Sequence, residues 1–285
     1  MAGDVAMDIA GAADSILCNL RHMALDRLKR MGGWPNVHAL VILPTYNEIE
    51  NLSPMVSAIL EQGPSFDVLI IDDGSPDGTG LLADHLQETH PGRVAVIHRQ
   101  GKLGLATAYL TGFRYGLKRG YDFVFEMDAD FSHNPAYLPS FLATMDREDA
   151  DVVLGSRYVQ GGGAVRWPWY RKLISRGGSF YASRMLGVDV RDLTGGYKCF
   201  RRAVLEALDL GAITSTGYGF QIEMTYRAVD AGFRVAEMPI VFEERRAGAS
   251  KMSPGIFLEA FWMVAKMRTE RVAKEANAEL ERLRP

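Results

Sequence analysis

Along the middle of the chain, short apolar runs alternate with longer stretches in which apolar residues recur every three or four positions. The runs are Ala39–Leu43, Asp67–Ile71, Val94–His98, Phe123–Met127 and the start of a fifth at Asp151–Leu154. They predict buried strands. The stretches between them (Glu48–Leu60, 79–90, Leu103–Lys118 and 135–147) predict amphipathic helices. Strands that are apolar at nearly every position, joined by helices, imply an α/β fold with a mostly parallel central sheet flanked by helices on both faces.

The rhythm changes after Tyr158. Gly161-Gly162-Gly163 predicts a mobile loop. A helix carrying Trp167, Trp169, Arg171, Ser175 and Tyr181 follows, then a helix over 218–231 and strand pairing over 233–243. Amphipathic segments flank this region. Near the start, Ile16, Leu17, Leu20, Ala24, Leu28 and Met31 recur at helical spacing among Arg21, Arg27, Lys29 and Arg30, and Gly32-Gly33-Trp34-Pro35 ends the pattern. At the far end, Ile256, Phe257, Ala260, Phe261, Val264 and Met267 form an apolar line bordered by Lys266, Arg268, Arg271 and Lys274. The expected division is an N-terminal amphipathic helix and linker over 1–36, an α/β domain over 37–252, and a C-terminal amphipathic helix over 253–285. That last helix is expected to lie in a membrane interface, to pack on the domain, or to pair between subunits.

Composition narrows the classes. With 47% hydrophobic and 24% charged residues in 285, the chain is not disordered. Its 32 basic and 35 acidic residues leave a net charge of −3, so no overall basic field invites nucleic acid. Two cysteines, Cys18 and Cys199, are too few for a disulfide framework; a reduced compartment is expected, with Cys199 a small buried residue. The most apolar stretch, Ile256–Ala265, is interrupted by Glu259 and falls short of the ~20 residues of a spanning helix. Asp4 and Asp8 do not suit a secretory signal. A cytoplasmic protein, peripherally associated with the cytoplasmic face of a membrane, is the expectation.

Acidic residues punctuate the strand ends. The second strand runs into Asp72-Asp73-Gly74-Ser75-Pro76-Asp77-Gly78-Thr79 and the fourth into Asp128-Ala129-Asp130. In an open parallel sheet, ligands bind beyond the carboxyl ends of the strands, so both groups are expected at one cleft. Two carboxylates one residue apart suit a hard cation, Mg²⁺ or Mn²⁺, that completes its shell with water and phosphate oxygens. Asp77 reads equally well as a turn former. His133 reads as a residue that orients the neighbouring loop rather than as a metal ligand. Downstream, Arg157, Arg171, Arg245 and Lys251 stand beside turns or element starts. Arg171 and Ser175, four apart, share a helix face on which an arginine and a hydroxyl suit a phosphate, although any one arginine also reads as part of a solvated basic face.

Taken in order, PTYNE at 44–48, DDGSPDGT at 72–79, GKLGLATAY at 101–109, DADFSHNP at 128–135, GSRYVQGG at 155–162, DLTGGYKCFRR at 192–202, GYGFQIEM at 217–224 and RRAGASKM at 245–252 resemble the family-two glycosyltransferases with a GT-A fold. Within them the chain is similar to the dolichyl- and polyprenyl-phosphate mannosyltransferases. The resemblance covers about residues 38–252. It implies GDP-mannose as donor and a polyprenyl monophosphate as acceptor. It places Pro44, Tyr46, Glu48, Ile71 and Asp73 at the nucleoside, with Lys102 in the neighbouring loop on the donor side. Asp128, Ala129 and Asp130 match the metal and diphosphate site, Arg245 and Lys251 the donor phosphates, and Arg157, Arg171 and Ser175 the acceptor phosphate. Some relatives carry a glutamine metal ligand where Ser132 stands here, and water can take its place.

The implied chemistry is a single inverting displacement at the anomeric carbon. A phosphate monoester has its second pKa near about 6 and is already ionised near neutral pH, so no strong base is required. The absence of a spanning segment leaves two routes to a bilayer substrate: an interfacial helix or a separate membrane-anchoring protein. A related enzyme using a UDP-sugar donor, for glucosyl or N-acetylhexosaminyl transfer, and a catalytically silent sugar-nucleotide-binding protein on the same fold are the competing expectations.

Overall fold

The computed structural model describes residues 37–244 and 261–273. Its centre is a seven-stranded sheet of β1 (Ala39–Thr45), β2 (Phe66–Asp72), β3 (Val94–His98), β4 (Phe123–Glu126), β5 (Val152–Ser156), β7 (Lys198–Arg201) and β8 (Val235–Pro239). The strand order is β3-β2-β1-β4-β7-β5-β8. Pairing is parallel throughout, apart from β7, which runs antiparallel to β4 and β5. A small parallel ladder joins β6 (Gly163–Ala164) to β9 (Val241–Phe242).

Because successive strand side chains point to opposite faces, each strand feeds two cores. Leu40 and Ile42 pack with α3 (Leu105–Arg119), α6 (Arg202–Ala207), α7 (Gly217–Asp230) and the end of α5 (Trp169–Leu186). Ala39, Val41 and Leu43 pack with α1 (Ile49–Leu60), α2 (Thr79–Thr89) and α4 (Leu138–Glu148). Helices thus cover both faces, as the apolar runs imply, and each of the five expected strands is present. Cys199 is buried.

Two differences have clear causes. The Gly161-Gly162-Gly163 segment is built into the structure rather than a free loop: Gly163 N–H donates to Ile240 O at 3.0 Å and opens β6. Strand β7 has no counterpart in the hydrophobic pattern, because it is four residues long and begins and ends on a cation. Lys198 is nonetheless fully buried, facing Glu126 across the β4–β7 ladder. Its Nζ donates to the Gln221 carbonyl at 2.7 Å and to Gln221 Oε1 at 2.5 Å.

Along 261–273, which we label α8, Val264 and Met267 are buried against the domain and Arg271 Nη1 donates to Leu186 O at 2.8 Å. This part of the C-terminal segment packs on the domain. Phe261 and Trp262 stay exposed. The expected N-terminal helix and the remainder of the C-terminal one lie outside the described residues. No helix among the described residues is long and apolar enough to cross a membrane.

Glu126 and Lys198, register partners whose charges act on each other without a direct hydrogen bond, lie beneath the strand end that carries Asp128. Burial pushes the Glu126 carboxyl up to about 7, with Lys198 and Gln221 opposing. Burial likewise pushes Lys198 down to about 8 against the pull of Glu126 and Asp192. Removing one member of such a pair costs about 3–5 kcal/mol, whereas removing both charges together is often close to neutral. Lys198→Met is therefore expected to lower stability by about that amount at pH 8. The loss should shrink in acid. A carboxyl whose folded pKa exceeds its ordinary value of 4.5 keeps its proton better in the folded state, so stability falls as pH rises through the window from 4.5 to about 7. Without Lys198 that window extends upward. Urea midpoints at several pH values, together with recovery in Glu126→Gln/Lys198→Met, check both statements.

Candidate active site

A cleft of about 650 Å³ lies beyond the carboxyl ends of β1, β2 and β4, within the ordinary size range of a ligand site. Pro44, Tyr46, Glu48, Asp73, Lys102, Asp128, Ala129, Asp130 and Ser132 line one side, and Arg157 and Arg171 the other. The strand-end rule thus gathers residues spread over more than a hundred positions.

The first wall is built by two loops that hold each other. Asn47 sits at φ 58, a left-handed conformation that asparagine tolerates. Its N–H donates to Ser75 Oγ at 3.0 Å, the Glu48 N–H to Thr79 Oγ1 at 3.0 Å, and the Ile49 N–H to Asp77 Oδ2 at 3.3 Å. Asp77 also accepts from the Thr79 hydroxyl at 2.6 Å, so it organises the turn. Asp72 does the same, accepting from the Ser75 hydroxyl at 2.5 Å and from Thr45 at 3.2 Å. Asp73 alone of the three faces the cleft, held by Arg99 Nε at 2.5 Å. Arg99 reaches on to Thr107 Oγ1 at 2.6 Å and Gly104 O at 3.0 Å, which ties the Lys102 loop to the same aspartate. Lys102 Nζ lies 4.6 Å from the centre of the Tyr46 ring, a cation–π contact at the cleft edge.

The aspartate pair is shaped by a sharp turn. Phe131 has φ 65, which a bulky residue adopts only when its surroundings enforce it. The turn lets the Ser132 N–H donate to Asp130 Oδ1 at 3.0 Å and brings His133 Nδ1 to the Asp128 N–H at 3.0 Å. Nδ1 is therefore an acceptor. Burial holds the His133 pKa below its ordinary value, which favours the neutral ring, and the ring stacks on Tyr197 at 4.8 Å. His133 orients the loop, as its position suggests. The Tyr109 hydroxyl donates to Asp128 Oδ1 at 3.3 Å; burial and the nearby carboxylates push its pKa far up, so it remains a donor.

These groups fit a hard cation. Asp128 and Asp130 present oxygen ligands to the cleft, and the buried Ser132 hydroxyl beside them has no hydrogen-bond partner. Gly196 also lines the cleft, beside His133 and Gln221. Among the described residues no three histidine, cysteine or acidic side chains converge, so a cation would draw the rest of its shell from ligand phosphates and water.

The second wall belongs to α5 and the segment before it. Arg157 is buried and gripped by Asp192, through Nε to Oδ2 at 2.8 Å and Nη2 to Oδ1 at 2.6 Å, with Thr194 Oγ1 at 3.0 Å. Burial works against its charge, but Asp192 more than compensates and raises its pKa. Arg171 lies over the Trp167 ring at 4.2 Å and pairs with Glu244 at 3.0 Å. An apolar pocket of about 380 Å³ adjoins the cleft, lined by Ile174, Ser175, Tyr181, Ile222, Phe261 and Val264 among others. Trp167, Arg171, Thr194 and Tyr218 belong to both cavities.

Two expected placements differ. Ile71 is fully buried in the core beneath the cleft, packed among residues of one sheet face, because β2 continues one residue further to Asp72. Ser175 lines the apolar pocket rather than the cleft, one helical turn beyond Arg171. Arg245 and Lys251 lie outside the described residues. Sequence reasoning assigned no role to Arg99, Tyr109, Asp192, Thr194 or Tyr218. The DLTGG and GYGFQ segments signal the last three, and Tyr109 closes the GKLGLATAY segment; nothing local marks Arg99.

Comparison with known proteins shows the family and the fold. Residues 40–209 match the family model described as Glycosyl transferase family 2. A polyprenol monophosphomannose synthase from Mycolicibacterium smegmatis is 50% identical over 232 residues, 81% of this chain and 87% of the relative. An undecaprenyl-phosphate mannosyltransferase from Micrococcus luteus is 50% identical over 224 residues, 79% and 91% of the two chains. Among solved structures, glucosyl-3-phosphoglycerate synthase from Mycobacterium tuberculosis, in complex with Mn²⁺, UDP-glucose and phosphoglyceric acid, superposes with a TM-score of 0.60 at 18% identity, covering 81% of this chain and 80% of that one. A mannosyltransferase from Pyrobaculum calidifontis, in complex with GDP-Man and Mn²⁺, gives 0.50 at 17% identity over 96% and 92%. With a GT-A-like sheet, acidic strand ends gathered at one cleft and a family match over most of the domain, the chain belongs to glycosyl transferase family 2 and is a glycosyltransferase.

Proposed function

We propose that this enzyme transfers mannose from GDP-mannose to a polyprenyl monophosphate, releasing GDP and polyprenyl-phosphate mannose with inversion at the anomeric carbon. The observation that carries the reading is the wall shared by two unlike cavities. A charged cleft sized for a sugar nucleotide meets an apolar pocket at Trp167, Arg171, Thr194 and Tyr218. A water-soluble donor and a phosphate on a hydrocarbon chain need just such a junction. The names of the two relatives at 50% identity support the acceptor and the sugar, and the motif resemblance supports the guanine nucleotide.

In this reading Pro44, Tyr46, Glu48, Asp73 and Lys102 hold the nucleoside end of the donor. Asp128, Ala129 and Asp130 meet its diphosphate, and Arg245 and Lys251 approach the same phosphates. Asp128 and Asp130 would hold a divalent cation, Mg²⁺ or Mn²⁺, which when bound would offset the charge on the diphosphate. Arg171 holds the acceptor phosphate with charge-assisted hydrogen bonds, helped by Ser175 one turn on. Arg157, already clamped by Asp192, fixes the wall from which that phosphate approaches. A phosphate oxygen then forms the new bond to the anomeric carbon as the bond to GDP breaks, and the electron pair leaves on the diphosphate. No proton need be removed, because the acceptor is already ionised. The protein's contribution is positioning and charge stabilisation. The enzyme is expected to act peripherally at a membrane, alone or with a separate anchoring protein.

The test is transfer of label into lipid from GDP-mannose, UDP-glucose or UDP-N-acetylglucosamine in separate reactions with a polyprenyl phosphate. Label from GDP-mannose alone is expected; label only from a UDP-sugar overturns the donor and keeps the family. Chelation with EDTA should abolish transfer, and added Mg²⁺ or Mn²⁺ should restore it. Asp130→Ala should lower kcat by about 10²–10³-fold while circular dichroism stays unchanged. Arg171→Ala should raise the KM for the lipid phosphate by about 10- to 100-fold, the loss of one charged hydrogen bond, and leave the donor KM in place.

A further inference from the structure

Two arginines share the second wall of the cleft. Each has a carboxylate partner, but the two pairs are built differently. Asp192 is wholly buried and grips Arg157 three times: Oδ2 accepts from the Arg157 backbone N–H at 2.9 Å and from Nε at 2.8 Å, and Oδ1 accepts from Nη2 at 2.6 Å. Such a pair breaks only by leaving a buried charge uncompensated. Arg171 is held by a single hydrogen bond, Nη1 to Glu244 Oε1 at 3.0 Å, and by the face of Trp167 at 4.2 Å. Its Nε is buried and has no acceptor. The Glu244 side chain keeps 39% of its surface in water. A one-point pair so exposed holds weakly.

Neither partner of that pair is anchored in the core. Of the eighteen residues of α5 only Ser179, Ala182 and Leu186 are buried, so the half of the helix that carries Arg171 is thinly covered. Glu244 stands two residues beyond β9, whose ladder with β6 is two residue pairs long. The last fixed point before it is Phe242. The Phe242 carbonyl accepts from the Val165 N–H at 2.9 Å, and its ring meets Trp167 at 5.2 Å and His133 at 5.7 Å. Only the exposed Glu243 separates that anchor from Glu244, so the carboxylate can swing away while the wall stays in place. Glu244 and Arg171 both line the cleft. With Nε sealed, the guanidinium can offer a phosphate a two-point edge only through its two Nη groups, and Nη1 is the one Glu244 holds. A phosphate monoester carries about −1.5 to −2 charges near neutral pH and repels a carboxylate at that separation.

We infer that Glu244 is a built-in competitor at the phosphate site: it covers Arg171 until an acceptor phosphate displaces it. The inference rests on the reading of Arg171 as the residue that holds the acceptor phosphate. Glu244 is then a specificity-determining residue, not a catalytic one. An uncovered arginine on the wall facing a diphosphate would draw the wrong phosphate. A covered one yields to a ligand that gains more from the site than one charge pair, such as a phosphate whose chain lies in the adjoining apolar pocket. Apparent affinity falls with the fraction of time that Arg171 is covered. That reduction applies to every occupant alike, so the competitor also loosens the lipid product, whose phosphate sits at the same arginine.

The experiment titrates inorganic phosphate into the full chain, read by phosphorus NMR, and measures transfer kinetics with a polyprenyl phosphate alongside. Glu244→Gln is expected to tighten phosphate binding by about two- to fivefold, the worth of a partly exposed ion pair. It should lower the KM for the lipid phosphate and the inhibition constant of the lipid product by the same factor, and leave the donor KM in place. Glu243→Gln removes the same charge one residue away and should leave phosphate binding as in wild type. In an Arg171→Ala background Glu244→Gln should have no effect, because the competitor has lost its target. Glu244 lies outside the core, so its variants should keep the wild-type circular dichroism. Weaker phosphate binding in Glu244→Gln would overturn the inference, since Glu244 would then orient Arg171 for its ligand. So would unchanged binding, equal tightening by Glu243→Gln, or tightening that survives in the Arg171→Ala background. If Glu244→Gln tightens inorganic phosphate as stated and no lipid acquires mannose, the acceptor reading fails and the exchange stands. If mannose reaches the lipid but Glu244→Gln tightens nothing, the acceptor reading stands and the exchange fails.

Discussion

Strand β4 ends with a carboxylate sealed in the core, two and four residues before two more that face the cleft. Burial favours the protonated form of Glu126, and the ladder with β7 sets Lys198 at the matching register position, where its charge opposes that shift. A one-residue slip of that pairing would turn Lys198 to the other face of the sheet and leave Glu126 without its partner. The antiparallel strand is thus pinned by electrostatics as well as by hydrogen bonds. Its pinning fixes where Met127, Asp128 and Asp130 emerge. Lys198 in turn holds Gln221 on α7, so the same interaction ties the acidic turn to the helix whose start contributes Tyr218 to both cavities.

Around that anchor the site is mostly a set of loops that satisfy one another. Asp72 and Asp77 are consumed by turns, and Asp73 is left to face the ligand because Arg99 holds it. The distribution is physically economical. Carboxylates that face inward to backbone N–H groups and hydroxyls stiffen the loop, whereas Asp73, Asp128 and Asp130 line the cleft. Tyr109 sits at the join. Its ring stacks with Phe220 of α7 at 6.0 Å and its hydroxyl meets Asp128, so packing and polarity converge on one side chain.

Much of this was legible in the residues. Apolar runs such as ALVIL and FVFEM announce buried strands because no alternation dilutes them, and acids placed directly after them announce the cleft. Asp128, Asp130 and the turn-forming role of Asp77 follow from local pattern. What was hidden depends on distant partners. Lys198 reads as a loop residue until Glu126 is placed opposite it. Arg157 reads as a free cation until Asp192, thirty-five residues on, is found to grip it. Ile71 reads as a contact residue until the strand is seen to run one position further. Hydrophobic periodicity reports which face a residue takes; it does not report which charge meets which across a fold.

The thinly covered first half of α5 has a consequence for how such a protein can change. Residues at the ends of β1, β2 and β4 that line the cleft are also core residues or lie close to them, so substitutions there disturb the sheet. Trp169, Tyr170, Lys172, Leu173, Arg176 and Gly177 are under no such restraint, being exposed, whereas Arg171, Ile174, Ser175 and Gly178 between them line the apolar pocket. Selection can rewrite that stretch without unfolding the scaffold. A lineage could exchange one acceptor for another by drift on a single solvent-facing helix while its sugar-nucleotide half stays as it was.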